Sequence, residues 1–111
     1  MEAKATNPDE YQGWANRETW AAALHLSNTQ VLAETGADLV RRTCSEAKDT
    51  ARSLGIKPGD GMTQAGDAVA EWVAAMLSTY PDEAMLGMGR DIGSLWRVDW
   101  TAVARSLGDE A

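Results

Sequence analysis

The chain has 111 residues, and its 17 acidic and 10 basic side chains give a formal net charge of −7. This length suits one domain whose core needs neither disulfides nor a metal. No apolar run approaches the roughly 20 residues that span a bilayer, and residues 1–10 are too polar for a signal peptide. We therefore expect a cytoplasmic protein without membrane contact.

The ionisable residues limit the partners and ligands that the chain can have. Nucleic-acid binding needs a basic stripe, whereas the 10 Lys and Arg residues are scattered, so no direct contact with nucleic acid is predicted. The surplus of acidic side chains has two explanations: it favours binding to basic partners, or it only keeps the protein soluble. One Cys and one His cannot supply the ligands of a structural zinc site, and we predict no metal and no cofactor.

The beginning of the chain differs in composition from the rest. Residues 1–12 combine charge with few apolar side chains, which predicts a flexible leader ahead of a single helical domain over 13–111. Within that domain Asn16 is a favourable N-cap, and apolar side chains follow it at helical spacing. The first helix is therefore expected over 17–27.

The second predicted helix is the longest and covers 29–54. An apolar stripe with steps of three and four residues runs from Val31 to Leu54 along it. Gly36 is its weak point, because glycine inside a helix costs up to about 1 kcal/mol relative to alanine. A break near residues 34–36 is therefore one expectation.

A chain reversal separates the second helix from the third. Gly55 suits the left-handed residue that ends a helix, Ile56 can close the accompanying hydrophobic contact, and 57–61 predict a turn. The third predicted helix covers 63–79. It ends before Pro81, because the residue that precedes a proline avoids the helical region.

Two further helices complete the predicted fold. The fourth begins at Asp82, and the side chains expected to face inward are Met85, Leu86, Met88, Ile92, Leu95 and Trp96. The last helix has Asp99 as its N-cap and stops at Gly108. No segment alternates with a period of two residues, so strands are not expected. The predicted fold class is all-α, a compact bundle of four to five helices.

Tryptophan is the expected core filler, since the chain has five Trp and no Phe. Trp72 lies inside a regular apolar stripe and is predicted to be core. Trp14 and Tyr11 precede the first helix, and they suit either the core or an exposed contact, because tryptophan is also a common anchor at protein interfaces.

No group of residues predicts catalysis. His25 has no acid one turn before it, and Cys44 lies on the apolar stripe of the second helix, where it acts as a small hydrophobe. Gly87, Gly89 and Gly93 follow no strand, so they do not indicate a dinucleotide site. We predict that the protein is not an enzyme, and an enzyme that uses His25 is the weakest alternative.

Residues 13–20 read Gly-Trp-Ala-Asn-Arg-Glu-Thr-Trp and continue into an aliphatic helix that closes in Ser27-Asn28. This segment resembles the opening signature of a family of small proteins from bacteriophages and other mobile elements, usually carried as a domain of unknown function. Residues 98–104 are similar to the pattern near the end of that family. The chain departs from it at Thr29-Gln30, where the family has an acidic and glycine stretch.

The same octet has a purely structural interpretation. Asn16 would cap the first helix, Trp14 would fold back onto its first turn, and Trp20 would pack inward. In this interpretation residues 13–20 lock the start of the helix and bind no partner.

The resemblance, the acidic helical build and the missing catalytic group together predict a phage-type accessory protein that binds and inhibits a host protein. The resemblance favours a CRISPR or restriction defence component, and the charge favours one with a basic nucleic-acid-binding channel. The candidate contact residues are Tyr11, Trp14, Glu34, Asp38, Glu46 and Asp49. The alternative is a homodimer that serves as a structural scaffold, joined through the apolar stripes of the second and third helices.

Overall fold

The structure is a computed structural model, and it describes residues 11–79 and 83–109. In this part of the chain the protein is a bundle of five α-helices. The elements are α1 (Arg17–Asn28), α2 (Gln30–Ser53), α3 (Met62–Thr79), α4 (Glu83–Ile92), a 3-10 turn (Leu95–Arg97) and α5 (Trp100–Asp109). No β-strand forms within these ranges, which confirms the all-α prediction. Most of the predicted leader, and the predicted stop at Pro81, lie outside them.

Aliphatic side chains fill the core. Helices α2, α3 and α5 pack against one another, and α1 lies against α2, α4 and α5. The largest fully buried apolar side chains are Leu26, Val40, Val69, Val73, Ile92, Val103 and Leu107. Burial of one such side chain stabilises the fold by about 1.5–3 kcal/mol. The expectation that tryptophan fills the core is wrong, because the indoles of Trp14, Trp20, Trp72 and Trp100 pack half-buried around it.

Two glycines allow the central helices to approach closely. Helix α2 runs without a break through Gly36, where an added Cβ would lie 2.9 Å from Leu107 Cδ1 and 3.2 Å from Trp72 Cζ3. At Gly66 in α3, an added Cβ would lie 2.8 Å from the backbone nitrogen of Thr101 in α5. The predicted break is therefore wrong, since Gly36 is a packing position and not a weak one.

Helix α2 ends where the sequence predicts, but side chains at both ends of its predicted apolar stripe are exposed. Gly55 has a φ of +74°, and the Ile56 amide donates to the Ala51 carbonyl at 3.0 Å, as in a Schellman motif. Leu54 nevertheless exposes 69% of its surface, and Val31 in the first turn exposes 68%. Helix α2 has 24 residues and α3 has 18, so the apolar stripe of α2 extends beyond the helices that cover it.

Helix α4 ends earlier than the sequence predicts, and this changes the direction of Trp96. Met88 and Ile92 are buried as expected, but Gly93 has a φ of +84° and ends the helical register. Trp96, predicted to face inward, instead exposes 83% of its surface. The side chains of residues 85–86, also predicted inward, lie outside the described residues.

Candidate protein-binding surface

A tight turn precedes α1 and folds against it. The Tyr11 amide donates to the Trp14 carbonyl at 2.9 Å, and the Trp14 amide donates to the Tyr11 carbonyl at 2.7 Å. Gln12 and Gly13 both have positive φ values, 51° and 85°, which is the geometry of a type I′ turn. The Tyr11 ring meets the Trp20 ring edge-on at 4.9 Å between centroids. The turn is thereby held against the first helix.

The cap of α1 also fixes a segment near the other end of the chain. Asn16 Oδ1 accepts from the Thr19 amide at 2.8 Å and from Thr19 Oγ1 at 2.6 Å, while Asn16 Nδ2 donates to the Arg97 carbonyl at 2.8 Å. The fully buried Thr19 in turn accepts at Oγ1 from the Asp99 amide at 2.9 Å. One asparagine and one threonine therefore join the start of α1 to the turn before α5.

A carboxylate on α4 completes the attachment. Asp91 Oδ1 accepts from the Arg17 guanidinium at 2.8 Å, and Asp91 Oδ2 lies 2.7 Å from His25 Nε2. The hydrogen bond to His25, followed by that to Arg17, lowers the pKa of the Asp91 carboxyl below its ordinary value. The acid beside His25 comes from 66 residues further along the chain. This pairing gives His25 a structural role in linking α1 to α4.

These contacts hold a turn whose central side chain points to solvent. The Trp100 indole Nε1 donates to the Leu95 carbonyl at 3.1 Å, and the Val98 amide donates to the same carbonyl at 3.2 Å. The guanidinium of Arg97 lies 3.4 Å from a carboxylate oxygen of Glu18. Between these anchored residues stands the exposed Trp96. We call the surface formed by residues 11–20 and 91–99 the motif end.

The four predicted contact acids are exposed on α2, and two of them form ion pairs with basic side chains. Asp38 forms ion pairs with Arg42 at 3.1 Å and with Arg41 at 3.8 Å, and Asp49 pairs with Arg52 at 3.0 Å. Pairs of this kind on an exposed helix contribute only about 0.3–0.5 kcal/mol each.

Two predicted acids have no basic partner in the described part of the chain. Glu34 accepts a hydrogen bond from Gln30, and Glu46 stands apart at the edge of a cleft. The predicted residues therefore separate into Tyr11 and Trp14 at the motif end, three acids on the outer face of α2, and Glu46 elsewhere.

The acidic surplus of the sequence is not spread evenly over the protein. Helix α2 has four acidic and four basic side chains, and residues 11–79 and 83–109 together have 12 acidic and nine basic ones. The remaining residues contribute five acidic side chains and one basic one. The described residues therefore carry a net charge of only −3, and composition alone does not reveal this division.

An open cleft of about 640 Å³ lies between the C-terminal half of α2 and the start of α3. We call it the α2–α3 cleft. Its lining residues are Thr43, Glu46, Ala47, Thr50, Ala51, Leu54, Ile56, Lys57, Gly59, Asp60, Gly61, Thr63 and Gln64. Arg105 pairs with Asp60 at 3.1 Å. The pKa of the Asp60 carboxyl is lowered, mainly because the Met62 amide donates a hydrogen bond to it.

The described side chains form no arrangement suited to a metal ion. No three His, Cys, Asp or Glu residues are grouped closely enough to bind one within the ranges above. Cys44 is half-buried, with its sulfur 4.0 Å from that of Met62, in keeping with the hydrophobic role predicted for it. None of the described helices is long and apolar enough to cross a membrane.

Comparison with known protein families identifies a family for the larger part of the chain. Residues 7–85 match the sequence model of a family of unknown function, DUF7249. No curated protein and no solved structure matches the chain. The matched range contains the Gly13–Trp20 octet and helices α1 to α3, whereas Asp91, Trp96 and Asp99 lie beyond it.

Proposed function

The chain belongs to DUF7249, a family of unknown function, and we propose that it is an accessory module that binds another protein through the motif end, with Trp96 as the central contact. The single observation that carries this proposal is the 83% exposure of an indole on an otherwise anchored turn. Tryptophan is enriched among the few residues that dominate the binding energy of protein interfaces. An anchored residue also loses less conformational entropy on binding.

The surroundings of Trp96 agree with the general composition of a binding surface. Tyr11 is 37% exposed, and the Arg17 guanidinium lies 6.0 Å from the centre of the half-buried Trp20 ring. Aromatic residues and arginine are enriched at interfaces, which usually have a polar rim. The ion pairs of Arg17 with Asp91 and of Glu18 with Arg97 supply such a rim.

The finer proposal concerns what the binding achieves. The resemblance of residues 13–20 to phage proteins supports a phage-type accessory protein that inhibits a host protein, such as a component of CRISPR or restriction defence. Because α2 has equal numbers of acidic and basic side chains, its acids Glu34, Asp38 and Asp49 supply little steering field. We therefore assign the main contact to the motif end and leave these acids as peripheral candidates.

A homodimeric scaffold is the second candidate function. It cannot use the central parts of the apolar stripes of α2 and α3, because residues such as Val40 and Val69 are already buried within one chain. The exposed Leu54 and Ile56 favour a different contact between copies, which is developed below.

Affinity capture from a bacterial host lysate, followed by quantitative mass spectrometry, tests the main proposal. The tagged full-length chain is compared with Trp96→Ala and with Val31→Ala, a control that truncates another exposed apolar side chain in the first turn of α2. We expect a partner that wild type and Val31→Ala retain equally. Its recovery with Trp96→Ala should fall by about 30-fold, corresponding to a contact worth about 2 kcal/mol.

Thermal unfolding of the three proteins supplies the folding control. All three should melt at nearly the same temperature, because exposed side chains add little stability. A folded Trp96→Ala protein that retained the partner as well as wild type would refute the proposed contact.

A further inference from the structure

A second surface, separate from the motif end, exposes large aliphatic side chains beside a concave site. Leu54 ends α2 and Ile56 follows it, and they expose 69% and 58% of their surface at the rim of the α2–α3 cleft. The backbone that presents them is fixed, since the Ile56 amide and the Ala51 carbonyl are hydrogen bonded. The same face of the molecule therefore has both protruding apolar side chains and a cavity of about 640 Å³.

The cleft also has one free charge of each sign. Glu46 and Lys57 both line it, and no described residue lies within ion-pair distance of either. The other carboxylate in the cleft, that of Asp60, is already paired with Arg105. One unpaired acid and one unpaired base on a single face leave that face neutral, so two copies of it do not repel each other.

We infer that this face binds a second copy of the same chain. In a two-fold contact both copies use the same patch of surface. Every contact between two different residues therefore forms twice, once in each direction. Leu54 and Ile56 of each copy enter the α2–α3 cleft of the other. Glu46 of each copy then faces Lys57 of the other, so one charge pair forms twice across the two-fold axis.

Charge reversal gives a test that distinguishes this contact from any other dimer. Sedimentation velocity is measured over a concentration series for wild type, Glu46→Lys, Lys57→Glu and an equimolar mixture of the two variants. Wild type should sediment as a dimer that dissociates on dilution. Each variant alone should be monomeric, because like charges then face each other, whereas the mixture should dimerise again because both pairs become attractive.

Three controls accompany the series. Glu34→Lys makes the same charge change on the outer face of α2 and should leave the dimer intact. Replacement of Leu54 and Ile56 together by serine should abolish the dimer without a change in melting temperature, since both side chains are exposed. Trp96→Ala should dimerise as wild type does, so this inference and the proposed function fail independently.

Three results would overturn the inference. The first is wild-type protein that remains monomeric up to millimolar concentration, which would leave the cleft to a different partner or to none. The second is a dimer that survives Glu46→Lys and Lys57→Glu unchanged, and the third is a mixture that fails to restore dimers. Either of these last two outcomes would mean that this face is not the contact.

Discussion

Replacement of Thr19 by valine tests whether the octet fixes the turn that presents Trp96. The two side chains have nearly the same shape, and Thr19 is fully buried, so the change keeps the packing and removes only the hydroxyl. Two hydrogen bonds disappear, the one that Oγ1 donates to Asn16 at 2.6 Å and the one that it accepts from the Asp99 amide at 2.9 Å. The partly buried Asp99 amide is left without its partner.

The expected loss follows from these two contacts. A typical intramolecular hydrogen bond contributes about 0.5–1.5 kcal/mol, so the loss of both costs about 1–3 kcal/mol. For a domain of this size, 1 kcal/mol corresponds to about 4 °C, so Thr19→Val should melt about 4–12 °C below wild type. Hydrogen exchange at the amides of residues 97–99 should accelerate in the same variant, because their attachment to α1 is weakened.

Calorimetry and chemical denaturation measure the loss, with two matched substitutions. Thr19→Ser keeps the hydroxyl and should retain more of the stability than Thr19→Val. Thr35→Val makes the same change at an exposed position of α2 and should stay within about 0.5 kcal/mol of wild type. If Thr19→Val proved as stable as Thr35→Val, the octet would not hold the turn in the way described.

Further predictions concern helix packing and the charge cluster of α1 and α4. Gly66→Ala should destabilise the fold by about 1–3 kcal/mol in urea unfolding, because its Cβ would meet the Thr101 backbone; Gly87→Ala, with nothing within 4 Å, should be neutral or stabilising. Equal stabilities for these two variants would contradict the close contact of α3 with α5. Because the folded pKa of Asp91 is lowered, its stabilising effect is present above the unfolded value of about 3.9 and is lost as the pH falls through the folded value. Asp91→Asn should therefore lower stability near neutral pH and approach wild type in acid, and a difference independent of pH would refute the ionic contribution of Asp91.

Local signals in the sequence locate most of the fold. Asn16 as an N-cap and Gly55 as a left-handed stop define the start of α1 and the end of α2 because capping depends on residues within one helical turn. The inward direction of Met88 and Ile92 follows from helical spacing for the same reason. These predictions need no knowledge of distant neighbours.

The predictions that fail depend on contacts between elements. Gly36 resembles a helix breaker until α3 and α5 are brought against it, and Trp96 appears to face inward only if the helix continues past Gly93. The exposure of Trp96 is missed for this reason, although Tyr11 and Trp14 of the same surface are among the predicted contact residues. The only local signal that could have indicated it was Gly93, a common helix-ending residue that precedes the tryptophan by three positions.

The partner of His25 could not be identified from spacing along the chain. Asp91 lies on another helix, and nothing within a turn of His25 indicates an acid. The distribution of charge is a different case, since the described residues carry only −3 of the net charge of −7, and this count needs positions along the chain as well as totals. The pairing of His25 depends on where the fold brings residues and not on their number.

Photo-crosslinking inside bacterial host cells tests the central claim most directly. Benzoylphenylalanine is introduced at position 96 and, in a separate protein, at position 31, and both are irradiated under identical conditions. We predict a discrete crosslinked partner from position 96 and none from position 31. Crosslinks that arise from position 31 alone, or from neither position, would contradict the assignment of the exposed tryptophan as the contact.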